Sequence, residues 1–233
     1  MKQILLLFVF IGVFVVKPVP AEDKSPDWLA AKGEMLFSDD FERDELGDWK
    51  VIIPGFDVKE GNLVATQDDP GHGAVGRIYL PMKDVVMSFR FNLTESPTFN
   101  VVFDDKAFKG SHAGHICRVA IAKRQIRLGD DKEGIMRNDI FKMRRDPATK
   151  KAADALLEGR GTAVKANLET NRWYTLVIEI LGEEMRVHLD GEKLATLKSS
   201  GIAHPTKESV HFTVTGKEAR FDDVKIWKAL PKP

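Results

Sequence analysis

The chain has 233 residues, 43% of them hydrophobic and 30% charged, the make-up of a soluble globular protein. Lys plus Arg and Asp plus Glu stand at 35 each, so no global charge directs it to nucleic acid or to an anionic membrane surface. The single cysteine, Cys117, excludes an internal disulfide.

Lys2 precedes an apolar run from Ile4 to Val16 that breaks at Lys17-Pro18, and Val19-Pro20-Ala21 offers small residues for cleavage after Ala21. Residues 1–21 therefore read as a signal peptide, because the apolar run is short for a membrane span, which needs about 20 residues. The expectation is a secreted or periplasmic protein with no stable membrane anchor after cleavage. Export without disulfides suits a core large enough to fold unaided.

Residues 22–34 form a polar lead-in whose Trp28 and Leu29 are apolar enough to dock on the domain. Residues 35–233 read as one domain. Met35 to Arg43 and Trp49 to Val51 are extended, and Phe56 to Ala65 holds two short strands about a Glu60-Gly61-Asn62 turn. Val85, Met87, Phe89, Phe91 and Leu93 alternate with Ser88, Arg90 and Asn92, and Phe99, Val101 and Phe103 alternate with Asn100 and Asp104. Period two with one apolar face is the mark of a half-buried strand. A Gly-rich stretch, 110–114, leads into His115 to Ala122, and Gln125 to Leu128 comes next.

Residues 131–166 break this rhythm. Asp146-Pro147 suits a helix start, Ala153, Leu156 and Leu157 recur at helical spacing, and Gly159 can end the helix. Nine Lys or Arg against six Asp or Glu make the insertion mildly basic, which reads as a solvated helical excursion. Next come Tyr174 to Ile180 and Met185 to Leu189, two strands joined by Leu181-Gly182-Glu183-Glu184. Shorter strands lie at Lys193 to Leu197, Val210 to Val214 and Ala219 to Trp227. About a dozen short strands with regular turn signals and one helical insertion predict an all-β fold, a β-sandwich of two antiparallel sheets.

Four stretches carry a family resemblance: Phe37-Ser38-Asp39-Asp40-Phe41-Glu42-Arg43, Asp57-Val58-Lys59-Glu60-Gly61-Asn62-Leu63, Trp173-Tyr174 with His188-Leu189-Asp190-Gly191, and Phe221-Asp222-Asp223-Val224-Lys225-Ile226-Trp227. They resemble the concanavalin A-like jelly rolls of secreted bacterial proteins. The match is to the family labelled 3-keto-disaccharide hydrolase, a relative by fold of family 16 glycoside hydrolases and laminin-G-like modules. The resemblance implies a carbohydrate partner bound on a concave sheet. The polar strand faces offer Arg90, Asn100, Asp104, Trp173 and Arg186 for sugar binding, the charged ones through hydroxyl contacts and Trp173 by stacking.

For catalysis, family 16 enzymes use an E-x-D-x-x-E strand, since retaining hydrolysis needs two close carboxylates. Here Glu179 to Glu184 places Leu181 at the Asp position, which argues against that chemistry. A 3-keto sugar permits elimination instead, because the ketone acidifies the adjacent C2 proton. That chemistry needs a base and an electrophile, with Glu179 or His188 as base and Arg118 or a metal as electrophile. His112 and His115 match no recognised zinc spacing, although with Asp104 they could share an ion. The resemblance also implies a structural calcium near the joined termini, for which Asp40 and Asp222 are the candidates, beside the bland reading of capped turns. A non-catalytic lectin-like module and a protein-binding envelope domain are the rival functions.

Overall fold

The computed structural model describes residues 27–232, so the predicted signal peptide lies outside the described residues. These residues form fifteen strands, with two short helices together between the ninth and the tenth. They are β1 Ala31–Asp39, β2 Lys50–Ile53, β3 Phe56–Lys59, β4 Asn62–Ala65, β5 Ala74–Met82, β6 Val85–Asn92, β7 Thr98–Asp104, β8 His115–Ala122 and β9 Gln125–Asp130. Then come α1 Asn138–Arg145, α2 Lys150–Ala155, β10 Gly161–Lys165, β11 Trp173–Leu181, β12 Glu184–Leu189, β13 Glu192–Lys198, β14 Lys207–Thr215 and β15 Ala219–Leu230. One sheet runs β13-β12-β11-β6-β15-β4-β3 with β1 also on β15, and the other runs β10-β9-β8-β7-β14-β5-β2. Every pairing between named strands is antiparallel. This is the expected jelly-roll β-sandwich.

The core lies between the sheets. Met87, Phe89 and Phe91 of β6, Leu176 and Ile178 of β11 and Phe221 of β15 meet Phe99 and Val101 of β7 and Phe212 of β14. The rings pack edge-on and tilted, as Phe99 does on Phe221 at 5.0 Å and Phe89 on Phe212 at 5.1 Å. Each of these residues belongs to an alternating set, so its neighbours in sequence point out of the sandwich.

The opening motif is a clasp. Buried Asp39 accepts from the Phe41 N–H at 3.0 Å, from both Arg43 terminal nitrogens at 2.5 and 2.6 Å, and from Trp49 Nε1 at 3.1 Å. Phe41 takes φ 56° in this turn and drops its ring into the core. The hairpin of β11 and β12 forms where the pattern placed it, with Gly182 at φ 58° in its turn.

The insertion differs from its sequence reading at both ends. Helix α1 precedes the Asp146-Pro147 signal. Helix α2 begins only at Lys150, because Asp146 forms a turn instead, its carboxylate accepting from the Ala148 N–H at 2.9 Å. At the other end, Gly161–Lys165 pairs with β9 as an edge strand. Its residues are half-buried or exposed, so it lacks the apolar face that marks a strand in sequence.

Candidate functional site

The polar residues outside the core fall on two outer faces with different environments. On the eight-stranded sheet, Glu179 and His188 face each other from β11 and β12, with His188 Nε2 2.8 Å from Glu179 Oε2. Both are fully buried. Residues 27–30 lie over them: the Leu29 and Ala30 N–H groups donate to Glu179 at 2.9 and 3.0 Å, and the Trp28 ring packs tilted on His188 at 4.3 Å. Burial pushes the Glu179 carboxyl up, but the hydrogen bonds from His188 and the two N–H groups outweigh it and hold the group below the ordinary range. Trp28, Val86, Val177 and Trp227 complete an apolar layer around the pair. This arrangement anchors the N-terminal segment and leaves no opening for a sugar.

Other predicted sugar contacts share this face. Arg90 lies over the Trp173 ring at 4.8 Å and pairs with Asp222 at 3.0 Å, while Arg186 pairs with Glu184 at 2.6 Å and with Asp27 at 3.1 Å. Trp173 is therefore covered by a guanidinium. Asp222, a predicted calcium ligand, holds Arg90, and Asp40 accepts from the Glu42 N–H at 3.2 Å. Among the described residues these two aspartates join no group of three candidate metal ligands.

The remaining predicted residues, Asn100, Asp104 and Arg118, lie on the outer face of the seven-stranded sheet. The structure thus separates Arg118 from Glu179 and His188, because Cys117 and Val119 point into the core on one sheet and Ile178 and Ile180 on the other. The two polar sets occupy opposite sides of the sandwich.

On the seven-stranded sheet the register aligns polar side chains in rows. One row runs Arg77, His211, Val102, Arg118, Gly129, Gly161 across six strands. The row beside it runs Tyr79, Ser209, Asp104, His115. Asp104 is fully buried at their junction. His115 Nδ1 donates to Oδ1 at 2.5 Å and Arg77 Nη2 to Oδ2 at 2.8 Å, and His211 Nδ1 stands 2.9 Å from Oδ2. Burial raises the Asp104 carboxyl, but the hydrogen bonds from His115 and His211 dominate and hold it at about 2. His211 is shifted down, first by burial and then by Arg77 and His115 against the pull of Asp104. With Nδ1 committed to Asp104, His115 presents Nε2 as its free ring nitrogen.

Across β8 stands a second carboxylate of opposite character. The Asp131 N–H donates to the Ile116 carbonyl at 2.9 Å, which brings this residue beside His115. Asp131 Oδ2 accepts from Arg118 Nε at 2.5 Å, while its Oδ1 and Arg118 Nη2 are buried without partners. Burial raises the Asp131 carboxyl, with Arg118 and His115 opposing and Asp104 adding to the rise. One carboxyl held low and its neighbour held high is the arrangement that separates base-side from acid-side roles.

A cleft of about 400 Å³ opens next to this pair. Asn100, Ala120, Arg127, Gly129, Gly161 and Ala163 make its floor, with Arg118 and Asp131 at one end and Ile135, Leu157 and Arg160 from the insertion on its side. The insertion is strapped down here: the His112 N–H donates to the Met136 carbonyl at 2.7 Å, and Phe141 of α1 stacks on the His112 ring at 4.2 Å. His112 therefore packs under a helix and takes no part in the Asp104 group. Cys117 faces the core, where burial pushes its thiol up to about 12.

Asp104, His115 and His211 form the only group of three candidate metal ligands among the described residues. Arg77 stands within 3.3 Å of His211 Nδ1 and already supplies the carboxylate's counter-charge. A cation among the three would have to displace the guanidinium. Sequence reasoning placed Asp104 with His115 but missed His211 and Arg77. The signal for His211 lies in alternation, since it stands between the core residues Val210 and Phe212, whereas Arg77 follows a glycine and has only Ile78 as a core neighbour in sequence.

No protein-family model matches the chain, and no curated protein does. Solved structures do. A protein of galectin-like fold from Bacillus subtilis superposes at TM-score 0.61 and 12% identity, covering 87% of this chain and 100% of that one. The laminarinase from Rhodothermus marinus gives 0.58 at 13% identity, over 87% and 100%. The carbohydrate-binding module CBM66 from Bacillus subtilis gives 0.52 at 10%, over 78% and 96%. Identities this low define a shared concanavalin A-like sandwich and nothing finer.

Proposed function

We propose that this is a secreted carbohydrate-active protein whose site is the cleft over β7 to β10, and that it cleaves 3-keto-glycosides by elimination. The observation that carries the reading is Asp131, with its raised carboxyl and unpartnered Oδ1, which lines the end of a sugar-sized cleft and stands beside the His115–Asp104 pair. His115 Nε2 takes the C2 proton, which the C3 ketone acidifies. The electron pair forms a C1–C2 double bond, the C1–O bond breaks, and the leaving oxygen takes a proton from Asp131. Arg118, which lines the cleft and whose Nη2 has no partner, is the donor assigned to the developing enolate. Asp104 is a positioning residue that fixes the His115 tautomer. The fold neighbours, a carbohydrate-binding module and a laminarinase among them, support the sugar partner.

The test is release of aglycone and appearance of enone absorbance from a 3-keto-glucoside, with His115→Ala and Asp131→Asn as controls. Release that both variants lose supports the reading. Release that survives His115→Ala overturns the assignment of the base. No release, with glycan binding retained in the cleft, identifies a lectin-like module instead.

A further inference from the structure

The far end of the cleft holds a cation that nothing among the described residues neutralises. Arg127 projects from β9 between Ala120 on β8 and Ala163 on β10, its direct cross-strand neighbours, so neither side offers it a carboxylate. It is exposed and makes no ion pair among the described residues. The acidic residues of the cleft are already engaged. Asp131 holds Arg118, and Asp130 accepts from Ser199 Oγ at 2.5 Å, the Gly201 N–H at 3.0 Å and the Glu133 N–H at 2.9 Å. Arg160, the third arginine of the wall, is satisfied by Glu133 at 2.7 Å and Ser199 at 2.9 Å.

Two further features point the same way. Gly129, Gly161 and the two alanines keep the floor of the cleft low around Arg127. Among the described residues no aromatic side chain lines the cleft, so a neutral sugar has no platform there to stack on and is recognised through polar groups. A planar guanidinium without a counter-ion, in the same cross-strand row as Asn100 with Ala120 between them, suits a carboxylate.

We infer that the cleft binds an acidic glycan, with the carboxylate of a uronic acid unit held by Arg127 one sugar away from the ring that meets His115. The inference rests on the carbohydrate reading above and adds the substrate class. It concerns binding, and it stands whether or not elimination occurs.

The experiment is calorimetric titration of the whole protein with matched oligosaccharides: neutral glucans, the same backbones carrying glucuronate, and sulfated glucans. Arg127→Gln is the variant, chosen because its exposed side chain supports no fold contact. A charge-assisted contact of this kind predicts about 10-fold tighter binding of the glucuronate ligand over the neutral one. The preference should vanish in Arg127→Gln and weaken with added salt. Equal affinity for neutral and glucuronate ligands overturns the inference and leaves the carbohydrate reading intact. A preference for sulfated over carboxylated ligand, or one that Arg127→Gln retains, also overturns it. Failure of every saccharide to bind removes both readings.

Discussion

Replacing Asp104 by Asn tests the electrostatic account of the site at its centre. Asn keeps the side-chain shape but offers one acceptor oxygen where Arg77, His115 and His211 converge on two. The Arg77 side chain is 6% exposed, and its Nε and Nη1 have no partner even in the intact site. Removing the carboxylate therefore leaves a buried cation without a counter-charge, at a cost of about 3–5 kcal/mol. The native carboxyl gives an independent check. A fall from 3.8 to about 2 corresponds to about 2 kcal/mol that favours folding above the ordinary carboxyl range. The folded-state value is depressed, so this contribution is full above 3.8 and is lost as pH falls through about 2. Urea denaturation of both proteins should thus show the large gap near neutrality and a gap narrowed by about 1 kcal/mol near pH 3. A gap below about 1 kcal/mol at neutral pH, or one that ignores acid, would refute the claim that Asp104 is the counter-charge of this cluster.

Asp131→Asn should behave in the opposite way. Its carboxyl is raised by burial, so ionisation works against the fold as pH climbs, and the amide should cost little stability at neutrality while lowering turnover by about 10²–10⁴-fold. Large destabilisation with normal turnover would remove Asp131 as the acid. Glu179→Gln should cost about 2 kcal/mol, expose the segment before β1 to protease and leave sugar chemistry untouched. Lost activity with an intact N-terminal segment would return Glu179 to the catalytic list. Since Arg77 already occupies the cationic position, zinc should not raise the melting temperature, and a rise that His211→Ala abolishes would show an ion displacing the guanidinium.

Alternation made the sandwich legible. The apolar faces of β6, β7, β11 and β12 are those their residue pattern specifies, and the turn between β11 and β12 forms at the glycine that permits its left-handed backbone. Alternation also identified Glu179, His188, Asn100, Asp104 and Arg118 as outward-facing. It says nothing about which sheet an outward residue stands on, or what later covers it. Glu179 and His188 became interior because a segment about 150 residues earlier in the chain lies across them. That contact is non-local, and its only local trace was the apolar Trp28-Leu29 pair in a polar stretch.

The position of His115 shows why the site itself was harder to read than the fold. Cys117 points into the core opposite Phe103, and strict alternation from it would put Ile116 outside and His115 inside. The register shifts by one residue between Phe103 and Asp104, so Ile116 also turns inward, fully buried, and His115 swings out to meet Asp104. A bulge of this kind re-aims one side chain without disturbing the strand beyond it. Its sequence trace is the loop before β8, where Ala113 and Gly114 both take positive φ, 54° and 76°. A side chain at Gly114 would meet the Asp105 carbonyl at 2.2 Å, so the loop admits no larger residue there. Gly114 thus holds the close approach between this loop and the end of β7, and the Asp104–His115 pair depends on it. Gly114→Ala should separate the two residues while leaving the core strands paired, which places the specificity of the site in backbone geometry as much as in its charged side chains.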